Sequence, residues 1–123
     1  MQDYRKLKVW EKAHQLVLNT YRASKDFPKD ELYGITSQLR RAATSISANI
    51  VEGSGRKTRP DFARFLTISL GSTNEVEYFL LLSKDLQYLS EAHYTQLTEQ
   101  VTEVRKMLLS LENRILTATN RSS

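Results

Sequence analysis

The stretch Tyr94-Thr95-Gln96-Leu97-Thr98-Glu99-Gln100-Val101-Thr102-Glu103-Val104 continues to Ala118 with its apolar residues at Leu108, Leu111 and Ile115. From Tyr94 the spacings run 3, 4, 3, 4, 3, 4 and 3, an unbroken 3.5-residue repeat. A strand would repeat every second residue, so this spacing predicts a helix with a coiled-coil-like seam. Upstream, the same logic assigns Val9, Trp10, Ala13, Leu16, Val17 and Tyr21 to a first helix. Ile35, Leu39, Ala42, Ile46 and Ile50 mark a second, and Phe62, Phe65, Leu66, Val76, Phe79 and Leu80 a third.

Breakers are few, with two prolines and four glycines in 123 residues, and they fall where helices should stop. Pro28 separates the first two patterns. Gly53-Ser54-Gly55 is expected to close the second through a left-handed glycine. Thr58-Arg59-Pro60-Asp61 opens the third with a cap, a first-turn proline and an acidic residue at the positive end of the dipole. Ser90 caps the fourth, with Leu89 placed to staple against Tyr94. Helices are therefore expected at about residues 8–25, 30–53, 59–88 and 91–118 of a single domain. Four amphipathic helices with short links make an all-α, up-down-up-down antiparallel four-helix bundle.

Composition narrows the chemistry. The chain has no cysteine and two histidines, which removes disulfides, thiol catalysis and cysteine-ligated zinc. Glu11-Lys12-Ala13-His14 matches one Glu-x-x-His pair of a di-iron bundle, but such sites need a second pair and further carboxylates. Gly53-Ser54-Gly55-Arg56-Lys57-Thr58 imitates a phosphate loop, yet Arg56 precedes the lysine where a glycine is required and no strand leads into it. No nucleophile is paired with a base, so no catalytic residue, metal ligand or cofactor is expected. The charged N-terminus lacks an apolar h-region, and Phe79-Leu80-Leu81-Leu82 is far shorter than a membrane span. A cytoplasmic protein without membrane association is the expectation.

Charge is distributed unevenly. Residues 1–64 carry 13 Lys+Arg against 7 Asp+Glu, and residues 65–123 carry 5 against 7, within a net +4. In an up-down bundle the start of the first helix and the corner between the second and third lie at one end. Arg5, Lys6, Lys8, Arg56, Lys57 and Arg59 should gather there, with Arg64 close by and Arg40 and Arg41 nearer the middle. Clustered cations are the footprint of phosphate binding, although a solvated helix end reads the same way. Separately, four consecutive apolar residues advance about 400° around a helix, so Phe79–Leu82 cannot all face inward. Phe79, Leu81, Leu82 and Leu86 are the candidate oligomer interface, with burial by the protein's own helices as the alternative. The small residues Ala42–Ala48, Ser69, Gly71, Ser72 and Thr73 are read as close packing between the second and third helices.

Several blocks occur in a distinctive order: Leu7-Lys8-Val9-Trp10, Phe27-Pro28, Tyr33-Gly34-Ile35-Thr36-Ser37-Gln38-Leu39-Arg40-Arg41-Ala42-Ala43, Ser45-Ile46, Asn49-Ile50-Val51-Glu52-Gly53, Phe62 with Phe65-Leu66, and Gly71-Ser72 with Glu75. Over residues 4–116 the chain resembles the bundle proteins encoded in 23S ribosomal RNA intervening sequences, also called S23 ribosomal protein. Ser47 and Val51 depart from the commoner pattern. The resemblance implies a bacterial homopentamer with a basic surface and an undetermined role. It extends distantly to the accessory protein of diversity-generating retroelements, which binds nucleic acid and a reverse transcriptase. The expectation is a non-enzymatic, self-associating protein that binds RNA or DNA, structured RNA first, through Arg5, Lys6, Lys8, Arg40, Arg41, Arg56, Lys57, Arg59 and Arg64. The alternative is a scaffold for a protein partner.

Overall fold

A computed structural model describes residues 2–122, with side chains to residue 118. The long helices are α1 (Lys8–Ser24), α2 (Ser37–Ser54), α3 (Arg59–Asp85) and α4 (Glu91–Ser122), and no strand occurs among the described residues. Each helix packs on its neighbour in sequence, and α4 closes the square against α1. This is an antiparallel up-down-up-down bundle. On α4, Leu97, Val101, Val104, Leu108, Leu111 and Ile115 are buried. They meet Leu16, Leu39, Ile46, Ile50, Leu66, Val76 and Leu80 in one core cluster.

The helix starts follow the cap chemistry. Thr58 Oγ1 accepts from the Asp61 backbone N–H at 3.3 Å, and Ser90 Oγ accepts from that of His93 at 3.1 Å. The stops differ from expectation. Gly53 is helical and buried inside α2, and Gly55 ends the helix at φ −87°, so no left-handed glycine is used. The left-handed residue is instead Gln87, at φ 66°, and it ends α3 three residues before the expected boundary. The amides of Tyr88 and Leu89 fold back onto the Ser83 carbonyl there.

The largest departure precedes α2. Residues 30–53 were expected to run as one helix, but a single 3₁₀ turn (Lys29–Glu31) leads into a wide turn (Leu32–Thr36) that is broken at Gly34. A Cβ on Gly34 would lie 2.6 Å from Glu31 Oε1, and Glu31 Oε2 accepts from the Tyr88 hydroxyl at 2.9 Å. Gly34 thus lets the chain fold tightly around a carboxylate that ties this segment to the end of α3.

α2 and α3 interlock most closely. Ser69 Oγ donates to the Ile46 carbonyl and Ser72 Oγ to Ser45 Oγ, both at 2.9 Å. A Cβ on Gly53 would fall 2.8 Å from Phe65 Cβ and 2.9 Å from Phe62 Cδ1. Small residues therefore do permit close approach here, but Gly71 is not among them. It is exposed, with nothing within 4 Å of its absent Cβ. Gly53→Ala should lower stability by about 1–3 kcal/mol through overpacking. Gly71→Ala should leave a single bundle unchanged or raise its stability by up to about 1 kcal/mol, by removing a helix-interior glycine. Urea titrations of both variants check this pair, whose signs are opposite.

Candidate nucleic-acid interface

The basic end is assembled by a short hydrogen bond. The Gln2 backbone N–H donates to the Ser54 carbonyl at 2.8 Å, which brings the N-terminal 3₁₀ turn (Tyr4–Lys6) against the end of α2. Tyr4 packs edge-on to Trp10 at 5.0 Å, and the Arg5 guanidinium lies 5.3 Å over the Tyr4 ring. A hydrogen bond with Tyr4, then its charge and that of Asp3, raise the Arg5 pKa further. Trp10 also stacks flat on His14 at 5.0 Å, so this exposed histidine packs along the outside of α1.

The α2–α3 corner carries Arg56, Lys57 and Arg59, with Arg64 one turn into α3. Arg56 and Arg64 are engaged by neighbouring carboxylates. Arg56 pairs with Glu52 and approaches Asp61 at 3.8 Å, while Arg64 forks onto Asp61 Oδ1 at 3.1 and 2.9 Å. Both guanidiniums lie 4.6 Å from the Phe65 ring centroid. Lys57 is exposed and has no ion pair among the described residues. The corner's charge is thus partly neutralised within the protein.

Across the bundle the situation is reversed. Lys6 and Lys8 meet Lys106 and Arg114 of α4 around an open groove of about 510 Å³. Leu7, Val9, Met107 and Leu111 form its floor, and no acidic side chain lines it. The Lys12–Glu103 pair, at 3.4 Å, lies one turn beyond Lys106 along the same two helices. Lys106 and Arg114 went unrecognised in the sequence because they stand in an acidic half, about a hundred positions from Lys6. Their two-turn offset along α4 and the antiparallel α1–α4 pairing were the available signal.

Arg40 and Arg41 are not near the middle of α2 but in its first turns, because the break at Gly34 delays the helix start to Ser37. They lie at the end opposite the basic cluster. Arg40 Nε donates to Ser24 Oγ at 2.8 Å and its guanidinium sits 4.6 Å over Tyr21, whereas Arg41 is exposed. Of the candidate interface residues, Phe79 and Leu82 are half-buried against the core, while Leu81 and Leu86 are 38% and 44% exposed. Leu80 is fully buried, so the four-residue apolar run divides as helix geometry requires.

Fold and site together define a class: an antiparallel bundle with one cationic end, in which no helix is long and apolar enough to cross a membrane among the described residues. The family model for 23S rRNA-intervening sequence protein matches residues 5–110, and the chain belongs to that family. A crystal structure at 1.70 Å of a protein of unknown function from the S23 ribosomal protein family of Bacteroides thetaiotaomicron is similar, with 29% identity and a TM-score of 0.79. The similarity covers 85% of this chain and 95% of that one. No curated protein matches the sequence.

The tie between Tyr88 and Glu31 makes a pH prediction. The hydrogen bond to Glu31, with burial and the carboxylate's charge adding to it, raises the Tyr88 pKa above 10.0. Tyr88 thus holds its proton more tightly folded than unfolded. Its contribution is complete below the unfolded value near 10 and declines as pH rises through the higher folded value. Denaturant midpoints between pH 8 and 12 should fall more steeply for the wild type than for Tyr88→Phe, with the difference confined to the alkaline limb.

Proposed function

We propose that this protein is a non-catalytic, homo-oligomeric bundle that binds nucleic acid, structured RNA before DNA, through its basic end. The observation that carries this reading is the α1–α4 groove, where Lys6, Lys8, Lys106 and Arg114 stand together with no acidic side chain in the lining. Like charges held together cost energy that a bound phosphate backbone would relieve, with release of its counterions. Lys57 extends the surface toward the α2–α3 corner, where Arg59 also stands. Arg56 and Arg64 contribute less, because Glu52 and Asp61 already hold them.

Self-association, as a pentamer on the family resemblance, is supported by the outer face of α3. Leu81 and Leu86, 38% and 44% exposed, are apolar side chains left uncovered near its end. A closed ring would repeat the basic end around its axis. Location in the cytoplasm, away from membranes, accords with this role.

A second reading has its own support. The groove floor is aliphatic and includes a methionine, which suits the apolar face of an acidic amphipathic helix from a protein partner.

Binding of a labelled RNA hairpin, followed by anisotropy across a salt series, tests the proposal. Four phosphate contacts would give a slope in log K against log salt of roughly −3. Lys106→Glu with Arg114→Glu should flatten that slope by about 2 while leaving the helical circular dichroism unchanged. Lys57→Ala should flatten it by about 1. An affinity indifferent to salt and to the charge reversals would overturn the reading and leave the protein-partner alternative.

A further inference from the structure

A second open cleft, of about 640 Å³, lies on the α2–α3 face, at the opposite end from the cationic groove. Tyr33 and Phe79 contribute aromatic walls, and Gln38, Arg41, Ser45 and Glu75 contribute polar ones. Tyr33 is 93% exposed, directly before the break at Gly34. So exposed an aromatic ring offers an open face for stacking. Arg41 and Glu75 share the cleft without an ion pair, and no ion pair of either occurs among the described residues. Arg40 next door shows the contrast, since its guanidinium is held by Ser24 and Tyr21. The cleft therefore offers a stacking surface, a cation and a carboxylate that the protein does not use internally.

We infer that this cleft receives one unpaired nucleotide, with guanine as the matching base. This deepens the proposed function and rests on it for the RNA source of that nucleotide. A base in a duplex has both faces covered and its pairing edge occupied, so only an unpaired base can stack on Tyr33 and present that edge to the cleft. A carboxylate is acceptor-only and can take two adjacent N–H groups, and guanine carries such a pair at N1 and the exocyclic N2. Adenine and uracil place an acceptor beside their donor on that edge, which faces the Glu75 carboxylate unfavourably. Gln38 can both donate and accept, and so can serve the guanine O6 or a ribose hydroxyl. Arg41 is placed for the phosphate. The volume falls within the range of small-ligand sites.

The test uses the full chain and three labelled or titrated probes: an eight-nucleotide single-stranded RNA with one central guanosine, the same strand with inosine at that position, and free GMP. A blunt RNA duplex serves as reference. The wild type should prefer guanosine over inosine, which lacks the N2 amine, by about tenfold. Tyr33→Ala should weaken the guanosine strand by about tenfold, in line with one lost stack. Tyr33→Phe should restore it, and Glu75→Gln should abolish the preference over inosine. Duplex affinity and its salt slope should be unchanged in all three variants. If RNA binds but Tyr33→Ala and Glu75→Gln match the wild type on both strands, the inference is wrong while the proposed function stands. If no RNA binds at any salt, the proposed function is wrong. The GMP arm then decides the cleft alone: saturable binding lost in Tyr33→Ala supports a free-nucleotide site, and none overturns it. A lowered oligomer mass in Tyr33→Ala with RNA affinity intact makes the cleft a subunit contact and overturns the inference too.

Discussion

The close approach of α2 to α3 is the constraint on which the rest of this structure depends. Gly53 has no Cβ, so Phe62 and Phe65 of α3 can seat against the α2 backbone at distances no side chain would permit. That seat fixes Phe65 at the corner, and Phe65 in turn provides the ring under Arg56 and Arg64. Farther along the same interface, Ser69 and Ser72 hydrogen-bond to Ile46 and Ser45, which keeps the two helices in register. At its far end the interface opens into the cleft between Tyr33 and Phe79. One helix pair therefore spaces both the basic corner and the aromatic cleft.

Pairing within the chain matters more than the number of cations. Arg56 and Arg64 are close to Glu52 and Asp61, and exposed pairs of this kind are worth little to stability. Their consequence is electrostatic: they reduce the field at the α2–α3 corner. The α1–α4 groove has no carboxylate in its lining, and nearby Glu103 is paired with Lys12, so its field is less compensated although it holds fewer arginines. Steering of a polyanion follows that uncompensated field rather than the count of positive residues.

Legibility in the sequence tracked how local each determinant is. The α4 seam depends only on spacing along one helix, so every buried position from Leu97 to Ile115 could be read directly. The Thr58 and Ser90 caps were readable for the same reason, since side chain and target amide are three residues apart. The segment before α2 was not, because its apolar spacing continues smoothly from Ile35 while Glu31 and Tyr88, which are 57 residues apart, hold the turn. That missed break displaced Arg40 and Arg41 to the wrong part of the bundle. Gly71 failed in another way: its small size resembles that of Gly53, and only the opposite facing of the two residues distinguishes them. Lys106 and Arg114 are likewise ordinary exposed residues until α4 is laid against α1.

These placements bear on how one nucleic acid would engage the proposed sites together. From Arg41 to Ser54 the α2 axis rises about 20 Å. At roughly 3.4 Å per nucleotide, that distance corresponds to about six residues of a stacked strand. A strand with its base at Tyr33 would reach Lys57 and Arg59 after those six, and the α1–α4 groove only by turning across the basic end. A uniform duplex cannot present an extruded base and such a turn at once without losing pairing. The arrangement thus matches an RNA whose unpaired segment adjoins a helix, with stacking at one end of α2 and phosphate contacts at the other. The aliphatic floor between Lys6 and Arg114 then needs no base, since a backbone passing over it would be held by the rim.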